Sequence, residues 1–222
     1  NPKQFSKQED LDRYPHTLEQ DKALINDYTD YVFCPTSDEM YPKGFQSTVH
    51  TGRLAKTLEG EHRPGHFDGM TTIVLKFLNI CQPTRSYFGL KDYQQYLIVK
   101  QMVNDLNMPI DIIGAPTLRE ESGLALSSRN QLLSDSEIEP SAFIYQALQA
   151  AQRLITQGEG DVKKIEQQIT KKLMKIPQSK IDYVAVRTLS LDAISTIDQD
   201  VVILVAIHVG SVRLIDNIIV RL

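Results

Sequence analysis

Apolar residues fall into short runs whose spacing changes along the chain, and each change predicts an element. Thr17 and Gln20 have capping-box spacing before a helix over Leu18–Tyr28, on which Leu18, Leu24, Ile25 and Tyr28 share one face. Asp30–Cys34 reads as a short buried strand stopped by Pro35, and Leu54–Leu58 as a helical turn closed by Gly60. Ile73, Val74, Phe77, Leu78 and Cys81 recur at helical spacing over 70–81, with Pro83 as the stop. A strand over Arg85–Phe88 comes next. A helix over Tyr93–Leu106 turns Leu97, Ile98, Met102 and Leu106 inward, and a strand over Ile110–Gly114 follows it. Strand and helix alternating in this way predict a parallel α/β sheet.

The pattern changes after about Pro116. Ser134 and Glu137 form a second capping box, opening a long helix to about Gln157 that tolerates Pro140 in its first turns. Gly158 and Gly160 break that helix, and a Lys-rich amphipathic helix runs over Val162–Lys175. Three strand-like runs close the chain, at Ile181–Arg187, Val201–Val209 and Val212–Val220, with Gly210 supporting a tight turn between the last two. The expected organisation is a parallel-sheet domain over 1–117 and a smaller α+β domain over 118–222.

Composition narrows the function classes. With 222 residues, 41% of them hydrophobic, the chain can bury a real core. The net charge of −4 and the lack of a long Lys or Arg run argue against nucleic acid as a partner. The apolar run at 201–209 is far too short to span a bilayer, so no membrane is expected. Cys34 and Cys81 lie far apart without metal or redox spacing, and read as reduced thiols of a cytoplasmic protein. No secretory signal is evident. The chain opens on Asn1-Pro2, without an initiating Met or a preceding strand, which reads as a truncated start.

In parallel sheets ligands gather on strand-to-helix loops, which singles out Gly89-Leu90-Lys91-Asp92. Lys91 at a helix start opposes the dipole unless an anion is present, and the local conflict points to phosphate. Gln95, one turn on, can hydrogen-bond a polar ligand. Leu126-Ser127-Ser128-Arg129 offers hydroxyls, backbone amides and a guanidinium to a polyphosphate, although serine-rich loops are common by chance. Arg63-Pro64-Gly65-His66 suits an anion, but a loop of solvated charges is the commoner explanation for such a segment. His62 and His66 have zinc-pair spacing, yet Pro64 and Gly65 between them disfavour the helix such a pair needs.

Seven segments in order resemble pantothenate synthetase: Asn1–Phe5, Glu9–Pro15, Leu58–Gly60, Arg63–Phe67, Tyr87–Gln95, Gly123–Asn130 and Val212–Asn217. The resemblance implies a Rossmann-like, nucleotidyltransferase-type sheet, incomplete at its N-terminus, with a C-terminal α+β lid. It implies ATP-dependent joining of pantoate to β-alanine through pantoyl adenylate, with release of pyrophosphate and AMP, and with Mg2+ accompanying the phosphates. Gln4, Gln95 and Tyr14 correspond to substrate-binding positions, and Arg63 and His66 to a loop beside the active site that orients and contacts phosphate; with Lys91 and Arg129 these two are the expected catalytic residues. Gly89, Leu90, Lys91 and Asp92 match the ATP loop, with Lys91 as phosphate partner. Leu118 matches a backbone contact to adenine, and Leu126, Ser127, Ser128 and Arg129 a phosphate-binding loop. Asp21 resembles a carboxylate near the magnesium.

The family usually has Glu where this chain has Leu90. The family's opening strand, histidine-bearing loop and helix, at least one β-α-β unit of roughly 30 residues or more, are not in this sequence. Expressed alone, the chain is therefore expected to make little pantothenate. The family is usually a homodimer built through its N-terminal domain. Two other readings stand beside the ligase: a non-catalytic remnant that binds ligand or partner, and another adenylate-forming enzyme of the same superfamily.

Overall fold

The computed structural model describes residues 1–5, 8–15 and 17–222. These divide into two compact units, Asn1–Pro83 and Thr84–Leu222.

The first unit is helical. It contains α1 (Gln8–Asp12), α2 (Leu18–Ile25), α3 (Ser37–Met40), α4 (Glu59–His62) and α5 (His66–Cys81). Its buried side chains centre on α5, whose Phe67, Met70, Ile73 and Leu78 face inward, with Met40 and Leu58 also buried. The helix begins four residues before its apolar period does. Gly65, at φ +78, turns the chain out of α4 and caps α5 directly. At its other end Gln82 takes a left-handed conformation just before Pro83.

Several expectations for this unit fail. Thr17 forms no capping box; its hydroxyl donates to Asp21 at 3.1 Å, and Gln20 is exposed. The expected face of Leu18, Leu24, Ile25 and Tyr28 is exposed throughout, and α2 passes into a 3-10 turn at Asn26–Tyr28. Asp30–Cys34 is exposed and is not a strand. An apolar run specifies strand tendency but not a partner, and no ladder among the described residues includes this segment. The turn expected at 54–58 divides into a 3-10 turn at Arg53–Lys56 and α4. Gly60 lies inside α4, where a Cβ would sit 1.9 Å from the Ala55 carbonyl oxygen.

The second unit holds two sheets. Strands β1 (Arg85–Gly89) and β2 (Asp111–Ala115) pair in parallel, joined by α6 (Tyr93–Asp105), which packs on both. Ile98, Val99, Met102 and Val103 are its buried face; Leu106, expected inward, caps the helix and is half exposed. After α7 (Asp135–Ser141), α8 (Phe143–Thr156) and α9 (Val162–Leu173), β3 (Ser179–Thr188), β4 (Val201–Val209) and β5 (Val212–Val220) form an antiparallel sheet in the order β3-β4-β5. The helix expected from Ser134 onward divides at Ala142, just beyond Pro140, which has no amide for the helical ladder. The Ser134–Glu137 capping box forms as expected. Leu148, Ile165, Ile169, Leu173, Val201, Ile203 and Val205 lie within one apolar cluster between this sheet and its helices. Among the described residues no helix is long and apolar enough to cross a membrane.

Candidate active site

Three of the expected site residues meet in the first unit. The backbone of Pro2–Gln4 lies so close to α5 that a Cβ on Gly69 would sit 2.1 Å from the Lys3 carbonyl oxygen. That approach brings the Gln4 carbonyl to 2.9 Å from His66 Nδ1, while Arg63 Nη1 stands 3.2 Å from His66 Nε2. A carbonyl can only accept and a guanidinium can only donate. Nδ1 therefore carries the proton and Nε2 offers its lone pair, which defines a neutral tautomer. Buried Glu59 lies 4.0 Å from Arg63. Asn1 Nδ2 donates to Gln4 Oε1 at 3.0 Å and to the Gly69 carbonyl at 3.1 Å, and Tyr41 donates to Asn1 Oδ1 at 2.7 Å. The Gln4 amide is thus aimed by Asn1 and Tyr41, two residues to which the sequence assigned no role.

Tyr14 is part of the same unit, its ring edge-on to Phe5 at 5.7 Å. Asp21 is exposed on α2, and no cluster of three or more His, Cys, Asp or Glu side chains suited to a metal is found among the described residues. Mg2+ commonly needs only one or two protein carboxylates when phosphates and water complete its shell. A single exposed carboxylate fits that arrangement.

The second unit holds the remaining residues. Gly89 ends β1, and Leu90–Asp92 make a 3-10 turn into α6. The side chain of Leu90, where the resemblance puts Glu, covers Gly114 of β2; a Cβ there would sit 2.6 Å from Leu90 Cδ2. Lys91 is mostly covered, its side chain 17% exposed and its ammonium 4.0 Å from Asp92. Gln95 is half-buried in the first turn of α6.

Leu118 and Leu126 face each other across a short loop closed by the Leu126 amide donating to the Leu118 carbonyl at 2.9 Å and by an Arg119–Ala125 bridge. Leu118 is 71% exposed, as a position acting through its backbone allows. Ser127 caps the following 3-10 turn, its hydroxyl accepting the Arg129 amide at 3.2 Å. Asn130 Nδ2 ties this turn to the Ala125 carbonyl at 3.1 Å and to Glu120 at 3.0 Å. The two expected phosphate-facing loops thus belong to one compact unit.

Sequence reasoning gave no role to the polar residues of β5. Arg119 makes a two-bond fork to Asp216 at 2.7 and 2.9 Å, and its guanidinium stacks 3.6 Å from the centre of the Tyr145 ring. Asn217 Nδ2 donates to the Leu90 and Lys91 carbonyls, both at 2.8 Å. Burial pushes the Asp216 carboxyl upward, while Arg119, the Asn217 amide and the charge of Lys91 hold it back. The available signal was the adjacent polar pair Asp216-Asn217 between the apolar residues Leu214-Ile215 and Ile218-Ile219-Val220.

A family model described as pantoate-beta-alanine ligase matches residues 1–219. The chain belongs to this family. It is 48% identical to a pantothenate synthetase of Aquifex aeolicus (strain VF5), covering 98% of this chain and 78% of that one. A pantothenate synthetase of Caldicellulosiruptor bescii is 44% identical, with 100% and 79% covered. The crystal structure of pantothenate synthetase from Thermus thermophilus superposes with a TM-score of 0.94 at 41% identity, covering 98% of this chain and 80% of that one. A pantoate-beta-alanine ligase from Francisella tularensis, complexed with beta-gamma ATP and beta-alanine, gives 0.76 at 34% identity, covering 98% and 76%. The fold and the enzyme class expected from the sequence are those of the pantoate–β-alanine ligase family.

Proposed function

We propose that this member of the ligase family joins pantoate to β-alanine through an acyl adenylate. A pantoate carboxylate oxygen attacks the α-phosphorus of ATP, and the bond to the bridging oxygen breaks with release of pyrophosphate. The amine of β-alanine then attacks the acyl carbon, the acyl–phosphate C–O bond breaks, the amine loses a proton, and AMP leaves. The enzyme acts by orientation and charge stabilisation rather than through a covalent nucleophile.

The observation that carries this reading is Lys91, a mostly covered side chain on the loop after parallel strand β1, with its own carbonyl and that of Leu90 held by Asn217. A cation held there favours negative charge developing on a transferring phosphate. The Gly89–Asp92 loop, the Leu118 backbone and the 126–129 loop would bind ATP, with Arg129 adding a guanidinium to the phosphates. Gln4, Gln95 and Tyr14 would bind pantoate or β-alanine. Arg63 and His66 are read as orienting groups; with both ring nitrogens engaged, His66 is poorly suited to accept a proton. Asp21 is the carboxylate assigned to Mg2+, which when bound offsets phosphate charge. We further propose functional domains over 1–117 and 118–222, a cytoplasmic location and a homodimer.

The test is Lys91→Ala in the full-length protein. Pantoate-dependent exchange of pyrophosphate into ATP should fall about 100-fold, with ATP affinity falling much less. Equal losses in both would remove the transition-state role.

A further inference from the structure

Strand β5 carries two adjacent buried polar residues, Asp216 and Asn217, which lie opposite the buried Val205 and Leu204 of β4. Burying such groups is costly unless each donor and acceptor has a defined partner. Here both amide hydrogens of Asn217 are used on consecutive carbonyls, those of Leu90 and Lys91. We propose that Asn217 is a positioning residue for adenylation, fixing the Leu90–Lys91 backbone so that the Lys91 ammonium meets the transferring phosphate. This rests on the reading of Lys91 given above.

Asn217 is itself held on several sides. Its backbone amide donates to Asp216 Oδ1 at 2.8 Å, and its carbonyl accepts from Arg119 Nη2 at 3.3 Å. The Arg119–Asp216 fork fixes both of those partners, and Arg119 also donates to the Gly123 carbonyl at 3.1 Å. One network therefore joins the start of the Gly123–Asn130 segment, strand β5 and the lysine loop. A second link has the same direction. The Tyr93 hydroxyl donates to the Leu189 carbonyl at 2.9 Å. A side chain that only stitched the sheet to the loop would support stability. One that sets the lysine's position supports the rate of phosphoryl transfer through that lysine.

The two roles separate in a double-mutant cycle on the full-length protein. Pantoate-dependent pyrophosphate–ATP exchange is measured for the parent, Lys91→Ala, Asn217→Ala and the double variant, with unfolding midpoints alongside. Asn217→Ala should lower the exchange kcat about tenfold, with the KM for ATP changed by less than about twofold. In the Lys91→Ala background the same change should cost less than about twofold, because its effect passes through the lysine. Asn217→Ser, which keeps one donor, should recover part of the rate; it replaces Asn217→Ala in the cycle if that variant does not fold. Equal fold-losses in both backgrounds, or a loss confined to KM, would overturn the proposal. If Lys91→Ala is slow and Asn217→Ala is not, the positioning role fails and the reading of Lys91 stands. If Lys91→Ala exchanges normally, that reading fails and the proposal with it.

Discussion

The C-terminal sheet and the first 83 residues are held by different kinds of interaction. In the C-terminal sheet Val201–Ile207 are all buried, and α8 and α9 cover it with Ile144, Leu148, Ile165 and Ile169. In the first unit Leu24, Tyr28 and Tyr31 are 75%, 90% and 92% exposed, and α5 supplies most of the buried apolar side chains. Polar contacts join its segments instead: Asn1 to Gln4 and Gly69, His66 to Gln4, Thr71 to Val49, and Thr72 to the Val49 amide. Hydrophobic burial is strong but non-directional, whereas a hydrogen bond fixes an angle as well as a distance. Gln4, Arg63 and His66, proposed above as substrate-binding and orienting groups, lie where the contacts are directional. The second unit follows the same logic where Asn217 reaches the lysine loop.

The largest effect should come from the apolar core. Leu148 is fully buried in the cluster, and Leu148→Ala should destabilise the protein by about 2–5 kcal/mol through lost transfer energy and a residual cavity. Urea unfolding followed by far-UV circular dichroism measures this. A loss well under 1 kcal/mol would mean that the sheet does not depend on this packing.

Gly69→Ala probes the other kind of cohesion. The added methyl would meet the Lys3 carbonyl and the Gln4 amide, both backbone, so the Pro2–Gln4 turn must move away from α5. The expected cost is about 1–3 kcal/mol, and its location matters more than its size. Amide exchange at Phe5, which bonds to the Pro2 carbonyl, should accelerate while exchange in β4 stays slow. Unchanged protection at Phe5 would show that the turn is not held by its fit against α5.

The same contrast explains what the sequence made legible. Strands β4 and β5 have the bounds their apolar runs predict, because the cluster behind them is built from those runs. Asp30–Cys34 has an equally strand-like composition, but strand formation needs a partner whose identity no local pattern states. Thr17 and Gln20 had the spacing of a cap, yet the Thr17 hydroxyl found Asp21 instead. Of the proposed site residues, Lys91, Gln95, Arg63 and His66 are visible in the sequence as chemical types at suggestive places. What aims the two pins, Asn1 on Gln4 and Asn217 on the lysine loop, acts over 68 and more than 120 positions in its longest contacts, beyond any local period.

The smallest effect compares one device in both regions. Thr36 with Glu39 and Ser134 with Glu137 are reciprocal capping boxes. In each, the backbone amide of the cap residue, and then its hydroxyl, hold the glutamate below the ordinary carboxylate range. A depressed folded pKa contributes stability that is present above the unfolded value of about 4.5 and is lost as pH falls through the folded value. Glu137→Gln should therefore melt below the parent at pH 7, and the two should converge as the solution is acidified. Glu39→Gln should behave alike with a smaller gap. Its box caps a four-residue helix with one buried side chain, Met40. Glu137 instead opens the helices that cover the sheet, and its carboxylate lies over the β4–β5 turn, where a Cβ on Gly210 would sit 2.0 Å from Oε1. Melting curves across this pH range decide the matter. A gap that persists unchanged at pH 3 would exclude the glutamate's charge as its source, and a larger gap for Glu39→Gln would reverse the ranking of the two regions.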